Sequence, residues 1–520
     1  MVILGLGGIL NDAACALLVD GKLVAAAEEE KLARRHTPGE LPDAAIDACL
    51  RMAGLSPDQV DCVAIVRPFP TETGGLHVRL RSQFPNGRFV LVEHHAAHAA
   101  AAYFPSSFEE AVVLTLDRAG DFRCGARWEA RGIDLQLDKE LYVPDSLGEV
   151  FSRTAELLGF EAGADEHKVQ WMSTAGDDRY VELFDRILGG DGDWPKVDRS
   201  WFQTDSGSPT GWSERIHTTL GTNPGVPIPE SLATHVAAGV QRATERAVVR
   251  MARGAKRLCL GGGLGLNALL VAALEREFEV FVQPAAGNSG TALGAVLWAW
   301  HVIYRQTARV SVGDLCLGPE WSVQETKKVL ENCKLRFKLL TTSGEVVDTA
   351  VEQLSENRIV AWMHGRMEFG PRALGNRSIL ASPLDPYSTE NLNVFIKHRE
   401  QFRKFAASVP AELASEYFEA GPNARYLATV GRVRPHHRGT FQPAILGSDR
   451  IRVHTVTRED NPLYHRLLHA AGARTGLPVL YNTSFNLFGD PLVCTPRDAA
   501  RSFYSSGIDA MFVGQFFLQK

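Results

Sequence analysis

The chain has 520 residues, 45% of them hydrophobic and 22% charged, with a formal net charge of -6. That length exceeds what one core supports and predicts two or three domains, and with no long Lys/Arg run the charge excludes nucleic acid and an acidic membrane surface as partners. The eight cysteines (15, 49, 62, 124, 259, 316, 333 and 494) include no CxxC pair, which fits a reducing cytoplasm rather than a disulfide framework or zinc ribbon. No stretch approaches the ~18 uncharged apolar residues of a membrane helix. The opening MVILGLGGIL has no basic flank and runs into Asn11 and Asp12, so it reads as a buried strand and not a signal peptide.

Taken in order, the first segment predicts three short strands, one ending near Gly7, one over Ala13 to Val19 and one over Leu23 to Ala27, with a hairpin turn at Asp20-Gly21. A helix follows from about Pro42 to Ala53. Next, LVEHHAAHAA (91–100) sets His94 and His98 four residues apart where an apolar strand becomes a helix. Spacing of four puts both rings on one helical face, which suits either a gripped metal ion or a partly buried hydrogen-bonded pair. A metalloprotease is disfavoured, since no glutamate stands between the histidines to act as general base. The strand pattern then returns as AVVLTLD, FRCGARWEA and IDLQLDKEL with a turn at Arg131-Gly132, which suggests an internal duplication. Two such halves can clamp a nucleotide, as in actin/hexokinase-like ATPases.

RLCLGGGLGLNALL (257–270) runs from strand through glycines into helix, where Gly261, Gly262 and Gly263 allow close ligand approach and Asn267 could meet a ribose or base. PAAGNSGTALGAV (284–296) repeats the pattern. From about Val310 to Gly344 the pattern loosens and reads as a connection between domains. It then restarts with the helix VVDTAVEQL and the strand RIVAWMHG, followed by the loop GRMEFGPRALGNRS, whose Arg366, Arg372 and Arg377 suit anion recognition. IKHREQFRKFA adds Lys397, Arg399 and Arg403, IRVHTVTRED places Arg452 in mid-strand, and VLYNTSFN ends a strand with Asn482, Thr483 and Ser484. A strand arginine between apolar neighbours is costly unless paired or bound to an anion, so the C-terminal third reads as an oxyanion or phosphate pocket.

At these residues the chain resembles the O-carbamoyltransferase family of nodulation-factor and antibiotic biosynthesis, over nearly its whole length. The matching motifs are VEHHAAHAA, DSLGEVFSRTAELLGF with DEHKV, GGGLGLN, GTALGA, GRMEFGPRALGNRS, REQFRKFAASV, and YNTSFN through DPLVCTP. The resemblance implies an α/β enzyme of two domains. Residues 1–325 would be an actin/hexokinase-like duplicated domain similar to the tRNA threonylcarbamoyl transferase, and 345–520 a YrdC-like domain. It implies that the C-terminal domain joins carbamoyl phosphate with ATP to give carbamoyl-adenylate, and that the N-terminal domain passes the carbamoyl group to a hydroxyl of a small molecule.

By the same resemblance, Arg372, Arg377, Lys397, Arg452, Asn482, Thr483 and Ser484 bind carbamoyl phosphate and ATP. Gly262, Gly263, Asn267, Gly287 and Asn288 bind nucleotide in the N-terminal domain, and Asp12, Lys397 and Arg452 are catalytic. His94, His98 and Asp117 hold a divalent metal, Fe2+ in the family.

The sequence departs from the family pattern at Asn11-Asp12, where His-Asp is usual, at Gly287-Asn288, where the Asp of Gly-Asp is the fourth metal ligand, and at DRAGD, where Arg118 stands beside Asp117. Lys404 replaces a usual proline. The transfer half therefore departs more than the adenylating half, and altered metal dependence is expected. The alternatives are a carbamoyl-adenylate former with a non-hydroxyl acceptor and a nucleotide-binding homologue with a degenerate transfer site. The acceptor pocket is expected among loops such as 177–229.

Overall fold

The structure, a computed structural model, describes residues 1–68, 75–190, 192–205, 208–310, 312–487 and 489–520. VILGLG, ACALLV and KLVAAAE form an antiparallel meander of β1 (Val2–Gly7), β2 (Ala14–Val19) and β3 (Lys22–Glu28). Asp20 and Gly21 turn β2 into β3 with φ of 47° and 79°, the paired positive values that a two-residue hairpin of the right twist requires. The helix Asp43–Ala53 follows as the sequence predicts. With β4 (Cys62–Val66) and β5 (Arg88–Val92), the meander makes a five-stranded sheet of order β3-β2-β1-β4-β5.

A second meander comprises β6 (Glu110–Gly120), β7 (Arg123–Arg131) and β8 (Asp134–Tyr142). After a small hairpin of β9 (Phe202–Asp205) and β10 (Ser208–Trp212), β11 (Arg257–Gly261) pairs parallel with β6 and with β12 (Glu279–Val282). Read from β8, this sheet runs third, second, first, fourth, fifth, the same order as the first sheet. The duplication expected of an actin/hexokinase-like fold is therefore present.

The C-terminal strands form a separate sheet. They are β13 (Lys338–Leu339), β14 (Val360–Met363), β15 (Arg377–Ala381), β16 (Ala406–Pro410), β17 (Phe418–Glu419), β18 (Val430–Val433), β19 (Arg450–Val456), β20 (Leu480–Ser484), β21 (Ala510–Val513) and β22 (Phe516–Gln519). Their order is β13-β22-β21-β14-β15-β20-β16-β19-β18-β17. The centre of this sheet is buried on both faces: Ala361 and Met363 face one core, and Val360 and Trp362 face another that includes the helices Ser343–Ser355 and Pro462–Thr475. Covered on both sides, such strands read as continuous apolar runs.

One expectation changes. Residues 310–344 are more than a connection, because Ser322 and Glu325 form a capping box that starts the helix Val323–Asn332, and β13 pairs with β22. The Ser-x-x-Glu signature was readable, but the helix is mostly polar and buries only Thr326 and Leu330.

The chain forms two compact units, Met1–Val63 with Pro70–Phe89 and Ser311–Lys520 (unit one), and Ala64–Phe69 with Val90–Val310 (unit two). Among the described residues no helix is long and apolar enough to cross a membrane.

Candidate active site

In unit two, Glu93 caps the helix His94–Tyr103, its carboxylate accepting from the backbone N–H groups of His95 and Ala96. His94 and His98 then lie one turn apart, and β6 brings Asp117 to meet them. Nε2 of His94 and Nε2 of His98 are 3.0 and 3.1 Å from Oδ2 of Asp117 and 3.1 Å from each other. Asp117 is available because the β6–β7 ladder breaks between Leu116 and Gly120, a bulge that turns a strand residue toward the helix. Gly120 is required there, since a Cβ on it would lie 2.2 Å from the His94 ring.

Burial acts to raise the Asp117 carboxyl, but hydrogen bonds from His94 and His98 hold it well below the usual carboxylate range. Burial lowers His98 and keeps its ring neutral, the protonation state a ligand needs. Two imidazoles and a carboxylate about 3 Å apart have the spacing of neighbouring ligands around an ion with bonds of about 2.1 Å, so these residues fit a divalent transition metal. The intervening His95 turns away: its Nδ1 lies 2.9 Å from Thr115 Oγ1 and its Nε2 3.1 Å from the Arg123 carbonyl oxygen, and burial lowers it to about 3. Arg118 does not crowd the triad with charge. Its backbone N–H donates to Oδ1 of Asp117 (2.9 Å), and its guanidinium pairs with Glu149.

The glycine turn after β11 lies against the same strand. Gly262 has φ of 89° and a Cβ on it would stand 2.2 Å from the Leu116 carbonyl oxygen, while a Cβ on Gly263 would stand 3.0 Å from Oδ1 of Asp117. Asn267, expected to meet a ribose or base, has contacts within the fold. Its Oδ1 caps the helix Ala268–Leu274 by accepting from the N–H groups of Leu269 and Leu270, and its Nδ2 donates to Gln241 at 2.7 Å. Gly287 and Asn288 fall in the turn before the helix Gly290–Trp298. Asn11 and Asp12 are exposed in the turn between β1 and β2 of unit one.

Unit one carries the basic residues. The loop after β14 is held rigid by Glu368, a fully buried residue whose Oε1 accepts from the backbone N–H groups of Leu374, Asn376 and Arg377. Sequence reading missed Glu368; an acid amid Gly, Pro and Arg was the available signal. Lys31 and Glu28 anchor the same loop, Nζ donating to the carbonyl oxygens of Glu368 (3.0 Å) and Gly370 (2.7 Å), with Glu28 accepting from the Gly370 N–H.

Arg366 and Arg377 brace this framework. Arg366 donates to the carbonyl oxygens of Val24, Leu317 and Gly318. Arg377 is fully buried, its Nη groups donate to those of His364, Gly365, Asn376 and Pro319, and its Nε is buried without a partner.

The other cations form a cluster. Arg452 in β19 lies across from Ala406 in β16, which in turn lies across from Asn482 in β20, so the three share one row of the sheet. Burial first, and then the charges of Arg372, Arg399 and Arg403, push Arg452 well below the usual guanidinium range. Burial and the charge of Arg403 likewise lower Arg399 to about 9, and one of its Nη donors is buried without a partner. Asn482 is buried, its Nδ2 donating to the Ala373 carbonyl oxygen and Ser408 Oγ and its Oδ1 unpartnered.

Lys397, also lowered by burial and by Arg399 and Arg403, spends its protons on the turn after β20: on the carbonyl oxygens of Ser484 (2.6 Å) and Asn486 (2.8 Å) and on Asn486 Oδ1 (2.7 Å). Thr483 pairs with Ile379 across the strands. A separate cavity of about 780 Å³ in unit one is lined by Asp314, Glu320, Asp460, Arg366, Trp321 and Phe516 among others.

The chain thus combines a duplicated α/β fold, a metal-type triad in one unit and a buried cation cluster in the other. The chain matches the family models for the carbamoyltransferase N-terminus at residues 76–297 and C-terminus at 351–520. It is 32% identical to the protein sll1178 of Synechocystis sp., over 100% of this chain and 96% of that one, and 30% identical to the nodulation protein NolNO of Sinorhizobium fredii, over 98% and 79%. It is also 34% identical to a 3'-hydroxymethylcephem-O-carbamoyltransferase of Amycolatopsis lactamdurans, over 51% of this chain and 49% of that enzyme. The chain belongs to the carbamoyltransferase family.

Proposed function

We propose that this protein is an ATP-dependent O-carbamoyltransferase. Its unit-one cations receive carbamoyl phosphate and ATP, and the carbamoyl group reaches a hydroxyl of a small molecule by way of carbamoyl-adenylate. The observation that carries this reading is the cation cluster. Burial and the charges of Arg372, Arg399 and Arg403 disfavour the charged form of Arg452, and burial and Arg403 that of Arg399, so a polyanion placed among them relieves that cost. Carbamoyl phosphate brings the charge and, in its amide, the N–H donors that the unpartnered Oδ1 of Asn482 can accept.

The chemistry follows. Carbamoyl phosphate loses its phosphate to water, the released carbamate oxygen bonds to the α-phosphorus of ATP, and pyrophosphate departs. The mixed anhydride then carries AMP as a leaving group, which unactivated carbamate lacks. Lys397 orients the Asn482–Asn486 turn through its three donated hydrogen bonds. In unit two, His94, His98 and Asp117 would hold a divalent metal, which supplies Lewis-acid stabilisation of negative charge on phosphate.

The test is incubation of the purified chain with ATP, carbamoyl phosphate and a panel of hydroxylated metabolites. Pyrophosphate release that requires carbamoyl phosphate, together with a carbamoyl adduct on an acceptor oxygen by mass spectrometry, is the expected result. Release of pyrophosphate independent of carbamoyl phosphate would refute the reading.

A further inference from the structure

A second set of metal-type donors lies in unit one, apart from both the cation cluster and the His94–His98–Asp117 triad. The segment YHRLLHA sets His465 and His469 four residues apart on the helix Pro462–Thr475, so both rings project from one face. Their centroids are 4.6 Å apart, and both rings present the same nitrogen, Nε2, to the same oxygen, Oε1 of Glu412, at 2.8 and 2.7 Å. Glu412 comes from Ala411–Leu413, the turn that directly follows β16.

Hydrogen bonding alone accounts poorly for this convergence. The side chains of His465, Glu412 and His469 are 13%, 51% and 43% exposed, and at such sites an ion pair contributes little against the side-chain freedom it removes. Two imidazoles on successive turns plus a carboxylate from a neighbouring element are, by contrast, a three-donor set of the kind that first-row divalent ions favour, with solvent free to complete the coordination. The three ligand atoms lie within 4.8 Å of one another.

We propose that Glu412, His465 and His469 form a surface site for a divalent transition ion such as Zn2+ or Ni2+, which clamps the end of β16 to the helix Pro462–Thr475. β16 carries Ala406 between Arg452 and Asn482 at its opposite end and packs against that helix. The ion therefore braces the strand at the centre of the cation row without touching substrate. Metal counts on this protein contain two contributions, only one of them from the triad.

The experiment uses the tag-free full chain stripped with EDTA, titrated calorimetrically with Ni2+ and Zn2+ and counted by mass spectrometry after desalting. The His465→Gln/His469→Gln chain is expected to bind one equivalent fewer than wild type, to keep the wild-type unfolding temperature in EDTA, and to lose the ion-induced rise of about 2–5 °C. Glu412→Gln weakens the same site at least about tenfold. In a His94→Gln/His98→Gln background one equivalent remains and disappears on adding His465→Gln. Equal stoichiometry and equal affinity in wild type and the His465→Gln/His469→Gln chain overturn the proposal. That comparison stands by itself if the buried His94/His98 substitutions prevent folding.

Discussion

The His94–His98–Asp117 triad and the cation cluster both bury charge, and they balance it in opposite ways. In the triad the carboxylate is held ionised by hydrogen bonds from the two imidazoles, and burial keeps the His98 ring neutral, so the group is satisfied as it stands. In the cluster, like charges face one another and the native fold disfavours the charged form of Arg452. The first arrangement is satisfied by its own hydrogen bonds; the second carries unfavourable electrostatic energy that the proposed polyanion would relieve. Activity and stability should therefore respond in the same direction to substitutions at the triad and in opposite directions at the cluster.

The largest effect is expected from Arg452→Met. Carbamoyl-phosphate-dependent pyrophosphate release should fall at least about 100-fold, as when a preorganised charge is removed from a reacting phosphate. The urea midpoint should hold or rise, because a disfavoured charge has gone. A clear drop in the midpoint would show that Arg452 is a structural ion-pair member, and the contrast between the two regions would fail.

Next is Gly120→Ala, whose methyl would meet the His94 ring at 2.2 Å. The triad's metal affinity should fall at least about tenfold, with about 1–3 kcal/mol lost from unfolding stability, both read in the His465→Gln/His469→Gln background. Unchanged affinity would mean that His94 is not a ligand.

The smallest effect is a pH slope in unit one. Burial lowers His454 to about 4, and burial with the charge of Arg377 lowers His364 to about 3. A base with a depressed native pKa is protonated first in the unfolded chain, so its contribution is whole above about 6.5 and declines toward 4 by up to about 1.4 kcal/mol per pH unit for each histidine. His454 stands two residues from Arg452, so acid adds charge where cations already crowd. Urea midpoints between pH 7 and 5 should show a shallower slope in His454→Gln than in wild type; identical slopes would remove His454 from the account.

Legibility in the sequence differed between these regions. The i, i+4 histidines and the mid-strand arginine were visible because spacing and flanking apolar residues assign an element and a face. Asn267 and Arg377 were visible as chemistry-bearing residues, yet their contacts were not. Asn267 caps a helix and meets Gln241, and Arg377 meets carbonyl oxygens including that of Pro319, partners 26 and 58 positions distant. A polar side chain in a loop can serve a ligand or the fold, and composition does not separate the two.

The sequence by itself determined the repeated meanders, the metal-type spacing of His94 and His98, the family resemblance and the gathering of cations in the last third. Those properties depend on periodicity, local turn chemistry and residue type, which are local along the chain. Tertiary structure alone decided that a bulge delivers Asp117 to the two histidines, that Glu368 holds the arginine loop through three backbone N–H groups, that Lys397 holds a turn, and that Glu412 meets His465 and His469. Each of these depends on which strand ends and turns are brought within about 3 Å of one another, and hydrogen bonds and ion pairs act only over that range.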